Sequence, residues 1–143
     1  MSGRRNSILF ALPLLLVGCG KSDLIGTWTG VTSFDESKAR YPVTSAERER
    51  IRKLQAAQET LVLGDDGNFV WTTSGLPDGD TKLSGSWAEK EKTVTLIYKE
   101  RDGKPAQDAL RDWRVYQIEP SRKRLVYEDA TRPELTHSFE RGR

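Results

Sequence analysis

Few side chains here are equipped for chemistry. One thiol (Cys19) and one imidazole (His137) stand among 21 carboxylates and 23 Lys and Arg side chains in 143 residues. A single Cys excludes an internal disulfide and a multi-cysteine metal cluster, and a single His excludes a His-rich zinc site. No Gly-x-Ser-x-Gly stretch supplies a nucleophile for His137 to activate. His137 shares parity with Leu135 and Phe139, so it is read as an inward, hydrogen-bonded structural group. Asp65-Asp66-Gly67-Asn68 and Asp78-Gly79-Asp80 lack the ligand spacing of a calcium loop, and hairpin turns account for them. No glycine-rich phosphate loop is present. The expectation is a protein that is not an enzyme, with no catalytic residue, no metal and no cofactor.

Cys19 is set apart by its position. Arg4 and Arg5 are the only charges in residues 1–18, and they precede the ten-residue apolar run Ile8–Val17. That is the plan of a secretory signal peptide, about half the roughly 20 apolar residues that a spanning helix needs. Pro13 inside the run further disfavours a permanent transmembrane helix. Leu16-Val17-Gly18-Cys19 resembles the lipobox of bacterial lipoproteins. The resemblance implies diacylglycerol on the Cys19 sulfur, cleavage after Gly18, and a partner that is a membrane, held through the lipid anchor. It implies a cell-envelope location, on the outer membrane if the host is diderm, since Gly20 resembles that sorting signal.

Three segments follow: 1–18 as leader, 19–23 as acylated Cys with a short tether, and 24–143 as the folded domain. Removing 18 of the 143 residues leaves 125, with 21 basic against 21 acidic side chains once Arg4 and Arg5 are gone. A neutral exported domain argues against nucleic acid as a partner.

The elements that must position any site read as short strands joined by tight turns. Eight are expected: 24–34, 59–63, 68–73, 82–88, 93–99, 111–119, 123–128 and 135–141. Leu61/Leu63, Phe69/Trp71, Leu83/Gly85/Trp87 and Val94/Leu96/Tyr98 each place residues two apart, on one face. Strand 111–119 carries Trp113 and Val115 on one face but Tyr116 and Ile118 on the other, which predicts a bulge there. Thr44-Ser45-Ala46-Glu47 has capping-box spacing and predicts one helix over about 44–57, between the first two strands, where it would cover one barrel mouth. Its Arg48–Lys53 stretch is interleaved with Glu47 and Glu49, as in a solvated face. The fold class is all-β with one helix, a single antiparallel eight-stranded barrel.

Gly26-Thr27-Trp28 resembles the Gly-x-Trp signature of lipocalins, and the resemblance spans roughly residues 24–141. It implies a lipocalin-like barrel whose Trp28 packs at the closed end, with Arg141 as the nearest candidate to cover it. The helix after the first strand departs from secreted lipocalins and is similar to the placement in fatty-acid-binding proteins. Phe69, Trp71, Trp87, Tyr98 and Trp113 are candidate lining for an apolar ligand. They are equally the side chains that would fill a small barrel, since eight strands enclose little more than their own residues. The expected function is a non-enzymatic, membrane-anchored lipoprotein, monomeric, binding a small apolar ligand of the lipid or fatty-acid class. The alternative is an envelope interaction module with a side-chain-filled barrel.

Overall fold

The computed structural model describes residues 22–106 and 113–141. The leader and Cys19 lie outside the described residues, as does the start of the expected strand 111–119. Among the described residues no helix is long and apolar enough to cross a membrane.

The described residues form nine strands and one helix, in order: β1 (Gly26–Phe34), α1 (Ser45–Ala56), β2 (Gln58–Leu63), β3 (Asn68–Ser74), β4 (Thr81–Lys90), β5 (Thr93–Arg101), β6 (Lys104–Pro105), β7 (Trp113–Ile118), β8 (Arg124–Glu128) and β9 (Leu135–Glu140). A 3₁₀ turn at Glu36–Lys38 precedes α1. Each barrel strand pairs antiparallel with its neighbours, and β9 returns to β1. With the β4–β5 ladder the sheet closes on itself, so eight strands form a barrel without a free edge. β6 is a two-residue return on the end of β5, pairing Glu100 with Pro105 and Arg101 with Lys104. It is too short to leave an alternation pattern, and the sequence reading missed it.

Alternation builds the interior. Leu61 and Leu63 on β2, Phe69 and Trp71 on β3, and Val94 and Leu96 on β5 all point inward and are buried, while Val62 between them is exposed. β7 corrects the expected bulge. Its pairing with β5 runs without interruption from Thr93↔Gln117 to Ile97↔Trp113, and Arg114, Tyr116 and Ile118 face the lumen. An inward arginine hides this regular parity. The register shift sits instead between Ser84 and Gly85, where Lys99 of β5 is the extra residue. A Cβ on Gly85 would overlap the Ile97 carbonyl oxygen, so the bulge needs glycine.

The closed end is filled. Trp28 is fully buried, and its Nε1–H donates to the Leu24 carbonyl at 2.9 Å. The Arg141 guanidinium lies 5.2 Å from the Trp28 ring and donates to the carbonyl oxygens of Asp23 and Ile25. Gly26, at φ +135°, brings its backbone up to that guanidinium. Ser22 and Asp23 are clasped to the same end: Ser22 Oγ donates to Glu89 at 2.6 Å, and Arg122 bridges Asp23 (2.5 Å) and Glu89 (2.6 Å). Arg122 holds the Asp23 carboxyl below its ordinary pKa.

At the open end α1 begins with the expected capping box. Thr44 Oγ1 accepts from the Glu47 amide at 3.2 Å, and Glu47 accepts from the Thr44 amide at 3.0 Å, a cap worth about 1 kcal/mol. Of the helix residues only Ile51 is buried. Leu54 borders the barrel mouth, and Gln55 reaches the Thr32 carbonyl of β1 at 3.4 Å.

Candidate functional site

The mouth holds a cavity of about 300 Å³ with mostly apolar walls. Leu54, Trp71, Tyr127 and Leu135 supply apolar surface, and Glu59, Arg114 and His137 stand at its polar side. These groups come from α1, β2, β3, β7, β8 and β9, so barrel closure alone brings them together.

Glu59 is the inward residue at the mouth end of β2, opposite Gly30 of β1 and Thr73 of β3. A Cβ on Gly30 would overlap the Glu59 side chain, so glycine makes room for the carboxylate. Glu59 Oε2 accepts from Trp71 Nε1 at 3.0 Å and lies 2.9 Å from His137 Nε2. A carboxylate only accepts, so Nε2 carries the proton and Nδ1 is left to accept. Its donor is the Tyr116 hydroxyl, 2.7 Å away. The Arg114 guanidinium lies against the Tyr116 oxygen, completing a line from cation to carboxylate through a phenol and an imidazole. Trp71 stacks on His137 at 5.3 Å between centroids with 16° between planes, and Phe139 meets the imidazole edge-on at 4.8 Å.

Burial raises the pKa of Tyr116, and it raises that of Tyr98 as well. For Arg114 burial works against the charge, but the facing oxygens of Tyr116 and Tyr98 more than offset it, and its pKa is raised. The guanidinium is sandwiched by aromatics, 4.4 Å from the Tyr127 centroid and 5.7 Å from that of Trp71. Near it the barrel wall loosens. The β7–β8 ladder comprises only Gln117↔Val126 and Ile118↔Leu125, and Arg114 and Tyr127 lie on the mouth side of its last pair.

Chemically the line is committed. Both imidazole nitrogens are engaged and Tyr116 is fully buried, so neither His137 nor Tyr116 offers a free base or nucleophile to the cavity. Among the described residues no three of His, Cys, Asp and Glu converge as a metal site. The tempting Asp loops hold turns: Asp66 accepts from the Asn68 amide at 2.9 Å, and Gly67 takes φ +79°.

The sequence-derived lining residues separate. Trp71 borders the cavity, whereas Phe69 lies in the packed floor and Tyr98 touches both rings, at 6.3 Å from Trp71 and 5.8 Å from Phe69. Trp87 packs toward the closed end, its Nε1–H donating to the Gly64 carbonyl at 2.9 Å. Trp113 corrects the expectation: it is 55% exposed on the outer wall beside Ile97, because β7 parity turns Arg114 inward instead. His137 faces inward. Glu59, Arg114, Tyr116 and Tyr127 were not singled out from the sequence, and only the alternating Arg114/Tyr116/Ile118 spacing could have pointed to two of them.

Comparison with protein-family models, with curated proteins and with solved structures gives no match in any of the three.

Proposed function

We propose that the chain is a membrane-anchored, non-enzymatic binding protein of lipocalin-like build. It holds a small, largely apolar molecule of the lipid or fatty-acid class in the barrel mouth, at the cell envelope. On this reading residues 1–18 are removed, Cys19 carries the acyl chains, and the monomer sits on the outer membrane where the host has one. The mouth cavity of about 300 Å³ carries the reading, since small-molecule sites begin near that volume. The filled floor supports it too: Phe69 and Leu61 are buried beneath the cavity, so a ligand would bind at the mouth and not along the whole axis. The committed imidazole supports binding over turnover.

Native mass spectrometry of protein solubilised from its own membranes tests this. The expected result is a co-purifying small molecule, lost in Leu54→Trp, whose larger side chain would plug the mouth. Protein that carries nothing and takes up no added fatty acid or alcohol would overturn it.

The interaction-module alternative has one observation in its favour. Trp113 and Ile97, 55% and 46% exposed, sit in register on the outer wall. Crosslinking from a photoreactive group at position 113 to a second envelope protein would favour it.

A further inference from the structure

Among the described charged groups on the cavity wall, Arg114 alone lacks an opposite charge or a partner that neutralises it. Glu59 is held by Trp71 and His137. Asp129 accepts from the Thr131 amide at 2.8 Å and from its hydroxyl at 2.6 Å, and Arg132 donates to Glu134 at 2.9 Å. Arg114 has no carboxylate within 4 Å among the described residues. It rests on two aromatic faces and one phenol oxygen. A cation withdrawn from water is costly unless an anion and hydrogen bonds replace the hydration it has lost. Asp129 feels its field, but that carboxylate is already engaged with Thr131.

A second unmet group stands nearby. The Tyr98 hydroxyl is buried with no hydrogen-bond partner among the described residues, and it lies close enough to Arg114 for their charges to interact. Tyr98 is on β5, the strand that pairs with β7 through Leu96↔Arg114. A buried orphan hydroxyl and a half-buried cation without a counter-charge are both satisfied by one incoming anion.

We infer that the mouth cavity takes a small amphipathic carboxylic acid, its carboxylate on the Arg114 guanidinium within reach of the Tyr98 hydroxyl, and its apolar body against Trp71, Leu54 and Leu135. This rests on the ligand-holding reading above and names the ligand class. Guanidinium matches carboxylate in a planar fork, a geometry that an ammonium or an alcohol cannot supply. The volume of about 300 Å³ suits a body of roughly ten heavy atoms, at about 30 Å³ each. The short β7–β8 ladder ends beside Arg114, on the anion side of the cavity.

The test uses the protein as processed and acylated in its own membranes, transferred to phosphatidylcholine nanodiscs, with 10-bromodecanoate and 10-bromodecan-1-ol as tryptophan-quenching probes. Parallel titrations of Arg114→Gln in identical discs cancel partition into lipid. The acid should bind at least about tenfold more tightly than the alcohol in the wild type, as a charge-assisted contact predicts. That ratio should fall to about one in Arg114→Gln while alcohol binding is kept, and it should drop a few-fold in Tyr98→Phe. Equal binding of acid and alcohol by the wild type overturns the inference and leaves the ligand-holding reading standing. An acid preference that survives in folded Arg114→Gln overturns it as well. If neither probe quenches, both readings fall. Should Arg114→Gln not fold, Arg114→Lys keeps the charge without the fork and should retain only part of the preference; the wild-type comparison stands without either variant.

Discussion

Tyr116 and Tyr98 have both left water, and they have been compensated unequally. Tyr116 gives its hydroxyl proton to His137, whereas Tyr98 has no acceptor among the described residues. Burial raises both above the ordinary phenol value of 10.0. The folded state therefore holds these protons more tightly than the unfolded chain does. The stability they contribute is complete below about pH 10 and is lost as pH climbs through the raised values. Urea midpoints should be level from neutrality to about pH 9 and fall by roughly pH 11, with phenolate absorbance from these residues appearing only on unfolding. A midpoint unchanged at the higher pH would refute this account. The Glu59–His137–Tyr116 line has a complementary role. Its bonds from Trp71 and His137 hold the Glu59 carboxylate in place and leave Arg114 as the wall's charge without a carboxylate partner among the described residues.

Among the elements, the β4–β5 bulge is the most exacting. Gly85→Ala would drive a methyl group into the backbone of β5, and overpacking of that kind costs about 1–3 kcal/mol. The urea midpoint of Gly85→Ala should drop accordingly, and a change within error would show that β5 can yield at that point. Most elements could be read from residue types, for local reasons. Period-two alternation marks β2, β3 and β5, and Thr44 with Glu47 marks the start of α1. β7 was misread because alternation assumes that polar residues face out. Arg114 faces in, and the large apolar Trp113 was drawn into the lumen in its place. The mouth was harder still. Glu59 and His137 are 78 positions apart, a separation that no local period encodes, and each looks like an ordinary strand residue until the barrel closes. Trp71 was legible as lining because both its neighbours in parity and its size point to the core.

For the whole molecule, the anchor and the cavity are separate claims with separate tests. Radiolabelled palmitate should enter the wild-type protein and not Cys19→Ser. Label on both, or on neither, would remove the anchor while leaving the cavity proposal untouched. The clasp of Ser22 and Asp23 onto Glu89 and Arg122 has a further bearing on a chain acylated at Cys19. Only Gly20 and Lys21 separate that cysteine from the first fastened residue, a leash of about 10 Å at roughly 3.5 Å per residue. A chain so acylated would be a cup fixed by its base. Its rim stands about 20 Å higher, given the nine residues of β1 and the usual barrel tilt. That is beyond the Debye length of about 8 Å at physiological salt, so headgroup charge would hardly be felt at the brim, and the cup would fill from the water above it and not from the bilayer below.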